Sequence, residues 1–177
     1  MGLLERLPLG DLGAGHVWKE LDADTRRLAA EALYRSGASS ESGRRHADVA
    51  IAARLNFREV AVRRLPVERR VQYLVARVRP DDTLASSLLL ALHLDLRRPL
   101  LEAFLTLLEI PNDEGLIRED HELRPPERAR LVSAAERLYL DHAAEEVDLY
   151  LASLVALDRE IWSGLVPVLH ARIAAPA

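Results

Sequence analysis

The sequence predicts an all-α protein, a compact array of about seven to nine helices. Leucine and alanine dominate the chain, and apolar residues recur at helical spacing. Aromatic residues make up only 5 % of the chain, and the apolar-polar alternation typical of half-buried strands is missing. Hydrophobic residues make up 49 %, which is enough to form a substantial core.

Capping residues and helix breakers delimit the elements of the first half. Residues 1–23 form a lead segment in which Leu3, Leu4 and Leu7 dock on the body. The first firm helix spans Asp24 to Ser36, because Asp24 suits an N-cap and Gly37 suits a helix end. Further helices are expected at 44–55, 58–65, 67–78 and 84–94, and from a cap at Asp95 to Pro111.

The segment from Leu84 to Leu94 is apolar almost all round, which predicts a central helix buried on several sides. His93 lies within this helix and is expected to be a core group rather than a ligand or a base. Trp18 and Trp162 are expected to anchor the core through their large apolar surfaces.

The second half begins with an acidic connecting loop, residues 111–126, in which Leu116 and Ile117 are expected to pack on the core. Three helices are predicted after it, at 127–141, 145–157 and 159–173. Asp158 caps the last of them, and Pro167 should kink it. The helical region 24–110 and the C-terminal helices 127–177 are expected to share one core and form a single domain.

An internal similarity suggests a repeat of about 60 residues. The PVERR segment at Pro66 aligns with PPERA at Pro125, and Leu94-Asp95 aligns with Leu157-Asp158. Each repeat would contain three helices. The pattern resembles HEAT-type and other helical-hairpin stacks, which implies such a stack or a multi-helix bundle.

Charge is distributed unevenly along the chain, whose net charge is −4. Residues 54–98 carry 10 basic and 5 acidic side chains, whereas residues 99–177 carry 7 basic and 15 acidic ones. This asymmetry, on a helical scaffold, favours a non-enzymatic protein-protein interaction or scaffold module. Its partner would be another protein or a second copy of the chain.

The segment from Ile51 to Leu65 resembles the helix-turn-helix motif of DNA-binding proteins. Ile51, Ala52 and Leu55 match its first helix, Asn56 its turn, and Phe57, Val62 and Leu65 its later apolar positions. The resemblance implies that the second helix would enter a major groove. Because Pro66 ends that helix early, a helical hairpin within the array is the favoured interpretation, with DNA binding as the alternative.

Three arginine pairs, together with Arg58 of the segment that resembles a helix-turn-helix, supply the candidate contacts to nucleic acid or to another anionic partner. On one face they would form a phosphate-attracting patch, although all could equally be solvated surface. The candidates are Arg44, Arg45, Arg58, Arg63, Arg64, Arg69 and Arg70.

A metal-binding helical enzyme is the second alternative. His142 and Glu146 are spaced to share one face of a helix, and imidazole with carboxylate suits zinc, iron or manganese. An exposed acidic first turn explains the same residues more simply. The chain has no cysteine, phosphate-binding loop, dinucleotide glycine pattern or serine nucleophile elbow, so no cofactor is predicted and the sequence leans against an enzyme without deciding the question.

The expected location is the cytoplasm. The chain lacks a long uninterrupted apolar run, and its first residues do not resemble a signal peptide, so no membrane association is predicted.

Overall fold

The computed structural model describes residues 2–35 and 41–174, and it confirms the all-α class. The predicted helix end at Gly37 lies outside the described residues. The α-helices are α1 (Ala14–Glu20), α2 (Ala23–Arg35), α3 (Glu41–Leu55), α4 (Glu59–Arg63), α5 (Val67–Arg77), α6 (Asp82–Leu96), α7 (Arg98–Leu107), α8 (Arg128–Asp141), α9 (Ala144–Leu157), α10 (Arg159–Trp162) and α11 (Val166–Ala174). Strands β1 (Asn112–Asp113) and β2 (Leu116–Ile117) form one short hairpin.

The chain divides into two compact units. One comprises Leu21–Leu96, and the other comprises Met1–Glu20 together with Arg97–Ala177. We call the first the arginine-rich unit and the second the acidic unit. The arginine-rich unit carries 13 basic and 10 acidic side chains, and the acidic unit carries 11 basic and 18 acidic ones.

Helix α6 forms the centre of the arginine-rich unit, as its apolar sequence predicts. Leu84, Leu88, Leu89 and Leu92 are buried, and the helix packs mainly against α2. Burying each leucine contributes about 1.5–3 kcal/mol relative to an exposed position. His93 is also buried, in agreement with its expected place in the core.

The N-cap of α2 is Asp22 rather than the predicted Asp24. Its carboxylate accepts hydrogen bonds from the backbone N–H of Thr25 at 2.8 Å and from the Thr25 hydroxyl at 2.6 Å. Hydrogen bonds from the Thr25 side chain and backbone lower the pKa of Asp22, because they stabilise its charged form. Asp24 instead lies inside the first turn, where it pairs with Arg27.

In the acidic unit, Leu4 and Leu7 of the N-terminal segment are buried as expected, whereas Leu3 is half-buried. Leu4 and Leu7 lie in and after a 3-10 turn, and Leu9 and Leu12 in and after a second one. The sequence did not predict α1, which follows them and packs against α9. Trp18, at its centre, is buried as predicted.

Aromatic packing completes the core of this unit. Phe104 on α7 meets Tyr150 on α9 edge to face, with ring centroids 5.6 Å apart. It also contacts Trp162, at 5.8 Å, and Trp162 is buried as predicted. Such pairs contribute about 0.5–1.5 kcal/mol beyond their apolar burial.

The predicted acidic loop contains the β1-β2 hairpin. Glu114 (φ 50°) and Gly115 (φ 83°) form its two-residue turn, since Asp113 pairs with Leu116. Gly115 is required there, because a Cβ atom would lie 2.8 Å from the Cβ of Leu101. The prediction that Leu116 packs on the core is wrong: its side chain is exposed.

The predicted helix 159–173 is broken rather than kinked. Asp158 caps its start as expected, accepting from the backbone N–H of Ile161 at 3.2 Å. A 3-10 turn at Ser163–Leu165 then separates α10 from α11. Pro167 lies in the first turn of α11, where its missing N–H costs no helical hydrogen bond.

The predicted 60-residue repeat does not correspond to a structural unit. Its first copy would consist of α5, α6 and α7, but α5 and α6 belong to the arginine-rich unit and α7 to the acidic unit. Asp95 lies within α6, and the N-cap position of α7 is Arg97, so the predicted cap at Asp95 is wrong.

Candidate anion-binding site

Four of the seven candidate arginines line a single cavity in the arginine-rich unit, with a volume of about 580 Å³. These four are Arg44, Arg45, Arg63 and Arg70. The remaining lining residues are Tyr34, Glu41 and Asp48. We call this cavity the arginine pocket.

Helix α3 supplies more of the arginine pocket than any other element. Glu41, Arg44, Arg45 and Asp48 follow one another at positions i, i+3, i+4 and i+7, which places them on one helical face. The other three residues come from three further helices, namely Tyr34 from α2, Arg63 from α4 and Arg70 from α5. The pocket therefore depends on how these four helices pack.

A buried ionic contact fixes Arg70. Its Nη1 atom lies 3.2 Å from Oδ2 and 3.4 Å from Oδ1 of Asp48, and only 6 % of the Asp48 side chain is exposed. The guanidinium also stacks over the Tyr34 ring, 4.6 Å from its centroid. Both contacts limit the rotamers of Arg70 and hold it in place before any ligand arrives.

Tyr34 completes this arrangement by donating a hydrogen bond of 2.8 Å from its hydroxyl to Oδ1 of Asp48. Burial raises the pKa of Tyr34, and the Asp48 charge raises it further, against the opposing effect of Arg70. The phenol therefore remains protonated and keeps donating at neutral pH. The Nε atom of Arg70 is buried and has no acceptor among the described residues.

The other arginines of the pocket are more exposed. Arg63 forms an ion pair with Glu59, one turn earlier on α4. Arg45 is exposed and makes no hydrogen bond or ion pair with the described residues, whereas Arg44 is half-buried. Arg45 is therefore the pocket arginine whose charge is most available to a ligand.

The remaining three candidates lie outside the arginine pocket. Arg58 and Arg64 flank α4 at its N-cap and C-cap positions, and both are exposed. Arg69 is exposed and donates a hydrogen bond of 3.0 Å to the Gln72 side chain. The sequence therefore identified four arginines of the pocket, but it did not separate them from these three.

Sequence reasoning missed Tyr34, Glu41 and Asp48. The spacing of Glu41 and Asp48 with Arg44 and Arg45 is the signal that could have revealed one mixed-charge face of α3. No local pattern marks Tyr34, because its role comes from the packing of α2 against α5.

The segment that resembles a helix-turn-helix folds as two helices joined at Asn56, whose φ of 55° fits the predicted turn. The second helix was predicted to span 58–65, but α4 contains only the five residues Glu59–Arg63. Val62 is buried as the motif requires, whereas Phe57, at 48 % exposure, is not. One of the expected apolar anchors is therefore absent from the core.

The candidate metal ligands do not share a helical face. Helix α8 ends at Asp141, His142 adopts an extended conformation, and Glu146 lies in the first turn of α9. Within residues 2–35 and 41–174, no group of three or more histidine, aspartate or glutamate side chains is placed to hold a metal ion.

No helix in the described part of the chain is both long enough and apolar enough to cross a membrane. Comparisons of the chain with protein families, with curated proteins and with solved structures gave no match.

Proposed function

We propose that the chain is a non-enzymatic interaction module that binds an acidic segment of a partner protein in the arginine pocket. The observation that carries this proposal is the convergence of Arg44, Arg45, Arg63 and Arg70 on one cavity. Four cations in one concave site attract an anionic group more strongly than the same cations dispersed over a surface.

Pre-organisation supports the proposal. Arg70 is held by Asp48 and Tyr34, so less conformational entropy is lost when a ligand binds to it. The Asp48 charge is buried and already compensated by Arg70, which leaves Glu41 as the exposed carboxylate of the lining. The lining residues carry four positive and two negative charges, a net charge of +2.

DNA binding is the competing function for the same region. A five-residue α4 presents few side chains to a groove, and Arg63 pairs with Glu59 on that helix. Arg58 and Arg64 remain exposed and would have to carry the phosphate contacts. The two functions therefore depend on different arginines, which makes them separable by mutation.

Charge reversal at one arginine from each set tests the proposal. The probe is a fluorescently labelled oligoglutamate peptide of about ten residues, titrated at low salt and followed by anisotropy. Arg45→Glu should weaken binding about five- to tenfold, since it removes an ion pair that contributes up to about 1 kcal/mol, or about fivefold, and adds a repulsion between like charges. The control, Arg58→Glu, makes the same change in net charge outside the pocket and should alter affinity less than about twofold.

A random duplex of about 20 base pairs, titrated at the same salt concentration, distinguishes the two functions. Unchanged peptide affinity in the Arg45→Glu variant would contradict the proposal. If the duplex binds more tightly than the peptide, and if Arg58→Glu weakens duplex binding more than Arg45→Glu does, the protein binds DNA and the proposed function is wrong.

A further inference from the structure

We infer that the arginine pocket selects a doubly charged phosphate ester carried on a side chain of the partner protein, in preference to a single carboxylate. This inference rests on the proposed function and specifies the group that the pocket receives. Three properties of the lining carry it: its net charge, the geometry of its donors and the fixed position of Arg70.

The net charge of the lining matches a dianion. The four arginines of the lining outnumber its two carboxylates, Glu41 and Asp48, which gives the lining a charge of +2, and Glu59 outside the lining offsets part of this excess through its ion pair with Arg63. A phosphate ester at neutral pH carries close to two negative charges, because its second pKa is about 6. A carboxylate carries only one negative charge and would neutralise less of the lining's charge.

The donors suit a group with several acceptor oxygens. The four arginines that line the pocket belong to three different helices, α3, α4 and α5. Each guanidinium has five N–H donors in a planar fork, and a phosphate ester offers three terminal oxygens to share among them. A planar carboxylate has two oxygens and can occupy fewer of these forks at once.

The carboxylates that pair with the pocket arginines leave some guanidinium N–H donors available to a ligand. Asp48 accepts from Nη1 of Arg70 and not from its other nitrogen atoms. Arg63 is paired with Glu59, but a guanidinium can donate to a second acceptor while it keeps the first. Arg45 has no partner within the described chain and can turn fully towards a ligand.

The primary experiment compares two ligands that differ in charge but share a tetrahedral anionic group. Phenyl phosphate and phenyl sulfate are titrated into the whole protein at about pH 7.5, where the first is mostly dianionic and the second monoanionic. Binding is followed by calorimetry. Phenyl phosphate should bind at least about tenfold more tightly, and this preference should shrink in Arg45→Ala.

Arg69→Ala is the matched control for Arg45→Ala. It removes the same charge from an exposed arginine outside the pocket and should leave both affinities within about twofold of the unsubstituted protein. Equal affinities for the two ligands, or an equal effect of both substitutions, would overturn the inference.

A peptide comparison identifies the source of the phosphate. Two otherwise identical neutral peptides carry either phosphoserine or glutamate at their centre, and the phosphoserine peptide should bind more tightly. If phenyl phosphate binds but the phosphoserine peptide does not, the pocket takes a small phosphate compound and the inference of a protein carrier is wrong. If oligoglutamate still binds in an Arg45-dependent way while phosphate shows no advantage, the proposed function stands and this inference fails.

Discussion

At the scale of single residues, one arrangement of three side chains occurs in both units. In the arginine-rich unit, Tyr34 donates to Asp48 while Arg70 lies over the tyrosine ring. In the acidic unit, Tyr139 donates to Asp148 at 2.7 Å while Arg172 lies over its ring at 5.1 Å.

The two arrangements differ in how the aspartate charge is compensated. Asp48 lies within 3.2 Å of Arg70, whereas no ion pair joins Asp148 to a described residue. Burial raises the pKa of Asp148, and this outweighs the Tyr139 hydrogen bond and the Arg172 charge, which lower it. We therefore infer that the Asp48 charge stabilises the folded protein and that the Asp148 charge destabilises it.

Substituting each aspartate by asparagine tests this difference. A raised pKa means that the folded state holds the Asp148 proton to a higher pH than the unfolded state does. The protonated Asp148 carboxyl makes its full contribution to stability below about pH 3.8, and this contribution is lost as the pH rises through the folded-state pKa. Asp148→Asn should therefore be at least as stable as the unsubstituted protein at pH 7, with the difference narrowing as the pH falls towards about 4.

Asp48→Asn is the comparison variant, measured by urea unfolding under the same conditions. It leaves the largely buried Arg70 guanidinium without its anionic partner and should lose about 1–3 kcal/mol at pH 7. A marked loss in Asp148→Asn at pH 7, or none in Asp48→Asn, would show that the two charges do not differ in this way.

At the scale of elements, Gly43 allows α3 to approach its neighbours closely. A Cβ atom on Gly43 would lie 2.9 Å from Cδ1 of Leu33 on α2 and 2.9 Å from Cβ of Ser87 on α6. Glycine within a helix costs about 1 kcal/mol relative to alanine, so its presence here is explained by packing. The same helix carries four of the seven residues that line the arginine pocket, so this approach also positions the pocket.

Gly43→Ala should therefore destabilise the protein by about 1–2 kcal/mol. Alanine has a higher helix propensity than glycine, but the overpacking caused by its Cβ atom outweighs this gain. The double variant Gly43→Ala/Ser87→Gly removes the opposing Cβ atom. Its loss in the free energy of unfolding, measured with urea, should be smaller than the sum of the losses in the two single variants. Gly10→Ala is the control, since a Cβ there meets nothing within 4 Å. A Gly43→Ala variant as stable as the unsubstituted protein would contradict this account.

The sequence predicted the positions of helices better than it predicted which helices pack together. Regions corresponding to α3, α5 and α9 were placed within a few residues, because apolar periodicity and flanking breakers act locally. Helix α1 and the β1-β2 hairpin were missed, since both are short and depend on the units that they pack against. The four pocket arginines were among seven candidates that the sequence could not separate, and Tyr34 and Asp48 were not predicted, because only tertiary packing unites them with Arg70.

At the scale of the whole molecule, charge separates along the division into units. The arginine-rich unit has a net charge of +3 and the acidic unit a net charge of −7, which together give the −4 of the chain. If the arginine pocket binds acidic protein segments, as we propose, the acidic unit of a second copy is a candidate occupant.

We expect copies of the chain to associate weakly at low ionic strength, with the acidic unit of one copy against the arginine pocket of another. At about 10 mM salt the Debye length is about 30 Å and these charges attract each other, whereas at about 1 M salt it falls to about 3 Å. Sedimentation velocity over a range of protein concentrations should therefore show association at the lower salt and monomers at the higher one.

The charge variants decide whether this association uses the pocket. Arg45→Glu should abolish it at low salt, and Arg58→Glu, with the same net charge, should largely preserve it, because Arg45 lines the pocket and Arg58 does not. Monomers at every salt concentration would exclude a second copy as the partner while leaving other acidic proteins open to test. Association that persists at high salt would instead indicate contact through exposed apolar side chains such as Leu140, whose side chain is 77 % exposed.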